Sequence, residues 1–164
     1  MKKLLLMLTV LCGLSVGTFA QSSKTSLGFE AGIPVGDTKD VFDAVIGGSL
    51  KFDLPVATGA YFTLSAGYNS FLSNDITKAR TGKSSFGFVP LKVGVKYYFV
   101  PGFFGEGQVG AAVSTQSGGG TAFAYAPGIG YSFPSGFEAG VRYEGWTKDG
   151  TTTSQANLRL AFNF

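Results

Sequence analysis

After residue 20 the chain holds no apolar run long enough to cross a membrane as a helix, yet almost every segment there alternates apolar and polar residues with a period of two. A strand puts successive side chains on opposite faces, so this pattern gives each segment one apolar and one polar side. From Gln155 to Phe164, one face is Ala156, Leu158, Leu160, Phe162 and Phe164. The other is Gln155, Asn157, Arg159, Ala161 and Asn163. Between Phe137 and Trp146, Phe137, Ala139, Val141 and Tyr143 oppose Glu138, Gly140, Arg142 and Glu144. Wound as helices, these segments would mix charged and apolar residues on every face.

The same reading extends backwards through Thr121 to Phe133, Phe103 to Ser114, Leu91 to Phe99, Ala60 to Ser70, Ala44 to Phe52 and Ser26 to Ile33. That makes eight strands, most of them near the length of about 9–11 residues that a tilted membrane strand needs. Phe86 and Phe88 lie out of phase with Leu91 and Val93 if every apolar residue points outward. A bulge at Pro90 is therefore expected. Short turns are expected at Leu54 to Gly59, Phe99 to Gly102 and Phe133 to Gly136. They alternate with polar loops over 34–43, 71–85, 115–120 and 147–153. Antiparallel strands joined in this way describe an all-β, eight-stranded, up-and-down transmembrane barrel.

The first 20 residues read differently. Lys2 and Lys3 precede an apolar stretch from Leu4 to Leu14, and Thr18-Phe19-Ala20 offers small residues for cleavage. This is the pattern of a secretory signal peptide, with cleavage between Ala20 and Gln21. Residues 21–164 then form one barrel domain. The lone cysteine, Cys12, leaves with the leader. So do two lysines, which lowers the formal charge from +3 to +1. No Lys/Arg cluster remains to form a basic patch, so nucleic acid is not an expected partner.

The charged residues on the polar faces are Glu30, Lys51, Lys92, Lys96, Glu106, Glu138, Arg142, Glu144 and Arg159. Facing lipid at the midplane, a Lys or Arg would cost about 2–4 kcal/mol. The apolar faces are therefore assigned to lipid and the charged faces to the interior. Eight strands enclose a bore just wide enough for side chains to fill. The charged set is thus expected to be a structural network that plugs the barrel, with a selective pore as the competing reading. Aromatic residues divide into two expected lipid-facing girdles. Phe52, Tyr97, Phe99, Phe103, Phe133, Phe137, Phe162 and Phe164 form the one at the short turns. Tyr68, Phe71, Phe86, Phe88, Phe123, Tyr143 and Trp146 form the one at the loops.

Catalytic signatures are scarce. The sequence has no His, which removes Ser-His-Asp and Cys-His nucleophile systems and His-based metal sites. Gly118-Gly119-Gly120 lacks the Lys-Ser/Thr of a phosphate loop. Asp37, Asp40 and Asp43 do not follow the spacing of a calcium loop and read as a solvated loop. No cofactor, metal or catalytic residue is expected.

Several segments resemble the small outer-membrane β-barrel family common in Bacteroidota. They are Val89-Pro90-Leu91-Lys92-Val93-Gly94-Val95-Lys96-Tyr97-Tyr98-Phe99, Tyr125-Ala126-Pro127-Gly128-Ile129-Gly130-Tyr131 and Val141-Arg142-Tyr143-Glu144. The ending Leu158-Arg159-Leu160-Ala161-Phe162-Asn163-Phe164 resembles the aromatic terminal strand read by the barrel-assembly machinery. The resemblance implies an outer-membrane address, with the loops outside the cell and the short turns in the periplasm. It implies lipid as the surrounding partner, and Phe162 and Phe164 as the assembly signal. It transfers no catalytic residue. Three functions follow in order: a non-catalytic structural or interaction barrel whose loops meet a surface partner, a narrow porin-like channel, and a soluble ligand-binding barrel.

Overall fold

The computed structural model describes residues 23–164, so the leader and the Ala20–Gln21 cleavage site lie outside the described residues. Eight strands follow one another in order: β1 (Lys24–Val35), β2 (Phe42–Ala57), β3 (Ala60–Ser73), β4 (Ser85–Val100), β5 (Phe103–Ser114), β6 (Thr121–Ser132), β7 (Phe137–Lys148) and β8 (Thr151–Asn163). Each pairs antiparallel with its sequence neighbour, and β1 pairs with β8 to close the barrel. Closure removes both sheet edges, so the strands' backbone groups are satisfied without water. At the seam, Phe164 N–H donates to Thr25 O at 2.8 Å and Thr25 N–H to Phe164 O at 3.3 Å.

The apolar faces point outward. Leu27, Phe29, Ile46, Leu91, Val95, Ile129, Val141 and Leu158 are all exposed on the wall. The nine expected interior charges all point inward, and all but Glu106 are buried outright. Among the described residues no helix is long and apolar enough to cross a membrane, so any crossing is made by strands.

Several boundaries differ from the sequence expectation. β2 continues through Asp53 to Ala57, leaving a turn of only Thr58 and Gly59. β3 continues to Ser73. The loop after it contains a short helix, α1 (Asp75–Thr81), capped by Asn74, whose side chain accepts from Thr77 N–H at 2.8 Å. The segment 147–153 is no long loop. β7 and β8 run on to a two-residue turn, Asp149-Gly150, with φ of 49° and 79°. Two successive positive φ angles match the tight hairpin turn whose twist suits flanking strands, and Asp-Gly is a preferred pair for it.

The bulge expected at Pro90 is absent. The β3–β4 register is unbroken from Ala66↔Leu91 to Asn69↔Phe88, and β4–β5 pairing is continuous from Phe88↔Ser114 to Tyr98↔Phe104. Phe86, Phe88 and Pro90 therefore share the inward face with Lys92 and Lys96. The assumption that every apolar side chain of β4 meets lipid fails here because the loop end of the bore is itself apolar. Register shifts occur instead near strand ends, between Phe42 and Ala44, Pro55 and Ala57, and Tyr98 and Val100.

Candidate functional site

The bore is filled by ion pairs that join six of the eight strands, all but β3 and β6. Glu138 on β7 is the hub near the turn end. It receives Lys51 Nζ at 3.0 Å, Lys96 Nζ at 2.6 Å, Arg159 Nη1 at 3.3 Å and Ser132 Oγ at 2.9 Å. Lys51 also donates to Glu106 at 3.1 Å. Lys96 donates to Asp53 at 2.8 Å and stands 4.2 Å from the centre of the Phe104 ring. These cations thus meet both carboxylates and an aromatic face, which lowers the cost of removing them from water.

A second hub surrounds Glu30 and Glu144. Arg142 Nη2 lies 2.6 Å from Glu30 Oε2, and Arg142 Nε 3.4 Å from Glu144 Oε2. Lys92 Nζ donates to Glu144 at 2.6 Å, and Ser49 Oγ to Glu30 at 2.5 Å. Arg159 on β8 links the hubs. Its Nη1 binds Glu138, its Nε donates to Ser49 Oγ at 3.0 Å, and its Nη2 donates to Ser26 Oγ at 3.0 Å. The side chain that bridges the two hubs therefore comes from the strand that closes the barrel.

Asp53 was not among the expected interior residues, because the sequence pattern ended β2 at Phe52. Its inclusion changes the balance. Five cations (Lys51, Lys92, Lys96, Arg142, Arg159) face five carboxylates (Glu30, Asp53, Glu106, Glu138, Glu144), and the described interior network is formally neutral. The signal for Asp53 was available in the sequence: it continues the period-two series Ser49, Lys51, Asp53. Leu54-Pro55 masked it by resembling the start of a turn.

Above the network, towards the loops, the bore closes with aromatic rings. Phe71 and Trp146 are buried, with ring centres 5.1 Å apart. Phe88 lies 5.0 Å from Trp146 and 5.6 Å from Phe71. Phe42 lies 5.2 Å from Phe71 and 5.7 Å from Phe86. Val45, Ala112, Ala122 and Ala124 complete this cluster. The Trp146 indole N–H donates to Glu144 at 3.1 Å and ties the plug to the network. Phe71, Phe86, Phe88 and Trp146 therefore do not belong to a lipid-facing girdle. Tyr68, Phe123 and Tyr143 do stand exposed on the outer wall, as does the whole set expected at the turn end.

A vestibule of about 750 Å³ opens at the turn end, with Lys24, Tyr61, Tyr98, Ser132 and Asn163 among its lining residues. A second concavity, of about 1040 Å³, is lined mainly by outward-facing residues such as Val95, Tyr97, Ile129 and Leu158, so it belongs to the lipid-facing wall. No cluster of acidic or thiol ligands suited to a metal ion occurs among the described residues.

A closed eight-stranded barrel with an apolar outer wall and a charged, packed bore defines an integral membrane barrel protein. Residues 6–164 match the family model described as the outer membrane protein beta-barrel domain, and the chain belongs to that family. This places it in the outer membrane and replaces the expectation of a soluble barrel. A search of curated protein sequences finds no significant match. Solved structures share the fold at low identity. Ail of Yersinia pestis, in a phospholipid bilayer nanodisc, is 16% identical with a TM-score of 0.62, covering 87% of this chain and 98% of Ail. The outer membrane enzyme PagL is 14% identical with a TM-score of 0.63, covering 84% and 98%. The N-terminal barrel domain of Pseudomonas aeruginosa OprF is 17% identical with a TM-score of 0.55, covering 88% and 98%.

The geometry makes Glu138 the most consequential interior position. Glu138→Ala leaves three cations short of a carboxylate and is expected to destabilise the barrel by about 3–5 kcal/mol. Lys78→Ala, which breaks the exposed Lys78–Asp75 pair on α1, is expected to change nothing measurable. Urea unfolding of both variants, refolded in detergent, checks this; equal midpoints would mean that the interior pairs carry no structural weight.

Proposed function

We propose that this protein is a non-catalytic structural or interaction barrel of the outer membrane, whose interior serves stability and whose loops meet the outside. The observation that carries this reading is that every interior carboxylate is already engaged by a cation. Glu30 meets Arg142, Asp53 meets Lys96, Glu106 meets Lys51, Glu138 meets Lys51, Lys96 and Arg159, and Glu144 meets Lys92 and Arg142. A general base needs a carboxylate free to take a proton from a substrate within hydrogen-bond reach. None of these five is so placed, and the sequence has no His to act instead. PagL shows that an outer-membrane barrel of this shape can be an enzyme, so the reading rests on the residues and not on the fold.

In this reading the leader is removed between Ala20 and Gln21, the short turns face the periplasm and the loops face outward. The segments 36–41, 74–84 and 115–120, with the Asp149-Gly150 hairpin tip, form the contact surface. Segment 74–84 offers the strongest feature, since Ile76 on α1 is 67% exposed beside Lys78 and Arg80. An exposed apolar side chain ringed by charge is a common form of protein contact. Lys83 donates to Gln116 at 2.6 Å and Lys148 to Gly119 O at 2.6 Å, so both flanking segments are tied to loop 115–120. The tip is thereby held as one surface.

Two assays on the refolded protein in phospholipid vesicles test the reading. Fatty-acid release and small-ion flux are both expected to stay at the level of empty vesicles. Fatty-acid release abolished by Glu144→Gln would replace the reading with an enzymatic one, and steady ion flux through the unaltered protein would replace it with a channel.

The assembly role of the C-terminus generates a separate expectation. Phe162 and Phe164 are exposed at the turn end, and Phe164 closes the last backbone pair of the seam. Deleting Phe164 should lower the amount of barrel in the outer membrane far more than Asp149→Ala. Equal amounts of the two variants in isolated outer membranes would refute a C-terminal assembly signal.

A further inference from the structure

The concavity of about 1040 Å³ on the outer wall follows two adjacent rows of the sheet across β4, β5, β6, β7, β8 and β1. The register gives one row as Tyr97↔Gly105↔Ile129↔Val141↔Leu158↔Ala31. The other contains Val95↔Gly107↔Pro127 and Tyr143↔Ala156↔Ile33. Neighbouring strands lie about 4.8 Å apart, so this trough runs about 19 Å from β5 to β1. Because the strands are tilted, the rows climb the wall. Gly107 is four residues from the start of β5 and Ile33 nine from the start of β1. The five-residue difference, at about 3.3 Å per residue and a tilt near 40°, is about 13 Å of depth, close to one leaflet of a core about 30 Å thick.

The floor of the trough consists of missing side chains. Gly105 and Gly107 are successive outward positions of β5, and Pro127 stands opposite Gly107 on β6. Among the glycines of the described strands, Gly107 alone has open space where a side chain would stand, with nothing beyond its chain neighbours within 4 Å of that point. At Gly105 the Phe99 ring leans over the backbone and forms the wall of the trough on the β4 side. Phe103 and Tyr131 border the floor towards the turns, and Val109 and Tyr125 towards the loops. Glycine within a strand weakens it, and often marks a place where a ligand approaches the backbone closely.

The chemistry of the lining narrows the occupant. Glu106 and Arg142 lie along the trough but turn their side chains into the bore, to Lys51 and Glu30. No Lys or Arg occupies an outward position on any of these strands, so nothing on the wall pairs with a heavily phosphorylated headgroup. A second copy of the barrel fits poorly. A two-fold interface sets the same patch against itself, and two facing troughs would enclose a void. A hydrocarbon chain bends to fill a curved trough, and this one is continuous with the lipid-facing wall.

We propose that the trough is a binding site for an acyl chain of a zwitterionic phospholipid, seated on Gly105, Gly107 and Pro127 beside the Phe99 ring. The site holds the chain by shape and leaves the headgroup unrecognised. It goes beyond the scaffold reading and needs only that the outer wall face lipid.

Photo-crosslinking of the refolded protein in phosphatidylcholine vesicles tests the proposal, with a diazirine on one acyl chain of the probe phosphatidylcholine and peptide mapping of the product. Labelling should concentrate several-fold on β5 and β6 over the opposite wall of β2 and β3. Gly107→Phe, which fills the trough from the lipid side, should lower β5 and β6 to the level of β2 and β3 while heat-modifiable gel migration stays unchanged. Ala66→Phe, at an exposed position of β3, should leave the enrichment intact. Even labelling around the unaltered barrel would overturn the proposal, as would enrichment that survives Gly107→Phe. If Gly107→Phe does not fold, the unaltered protein decides: enrichment supports the site and even labelling overturns it. Crosslinks joining two barrels through β5 and β6 would make the trough an interface between copies. Loss of the enrichment on adding lipopolysaccharide to the vesicles would assign it to that lipid. Either result overturns the phospholipid site and leaves the scaffold reading standing, since that reading is decided by fatty-acid release and ion flux.

Discussion

Ten charges that could not face lipid are disposed of by pairing them inside one bore. Everything else in the molecule is consistent with that constraint. A lysine or arginine at the lipid midplane costs several kcal/mol, and a lone buried charge costs as much or more. The balance of five cations against five carboxylates meets both demands at once. It also fixes register. Shifting any of the six charge-bearing strands by one residue would send its charged residues to the lipid and its outward apolar residues into the network. Pairing across Glu138 and Glu30 thereby selects one barrel among the many that eight amphipathic strands could form.

The two ends of the bore solve different problems. At the turn end the bore widens into a vestibule, where tyrosines and a lysine stand between the network and solvent. Towards the loops the polar network gives way to packed aromatic rings, with Trp146 bonded to Glu144 at the boundary. An apolar cap keeps bulk water from competing with the ion pairs beneath it, and low local polarity strengthens those pairs. The cap and the network therefore support one another.

Much of this was legible in the residues. Period-two alternation identifies the strands, and the placement of Glu30, Lys92, Arg142 and Arg159 on polar faces identifies the interior. What the pattern misassigned shares a physical cause. Treating each apolar residue as lipid-facing is sound only where the interior is polar, and it fails where the interior is apolar too. Phe86 and Phe88 were placed outward and a bulge at Pro90 was needed to explain them, although Phe86, Phe88, Pro90 and Lys92 follow one uninterrupted series. Trp146 likewise continues Glu138, Arg142 and Glu144. Asp53 was hidden by the turn-like Leu54-Pro55 that follows it, and the Asp149-Gly150 hairpin by the polar threonines flanking it. The unpaired amide of Asn69 and the unpaired amide oxygens of Gln108 and Gln155 could not be read from sequence at all, because lacking a partner is a property of three-dimensional packing.

The interior pairs act as a mutually dependent network and not as independent contacts. A double-mutant cycle between Lys96→Met and Glu138→Met measures this directly through the unfolding free energy of the refolded barrel. Each single change strands a buried charge, whereas the double change removes the pair and leaves an apolar contact beside Phe104. The double variant is expected to be clearly more stable than the sum of the two single losses implies. Losses that simply add would contradict it, and would mean that Lys96 and Glu138 occupy the same bore without depending on each other.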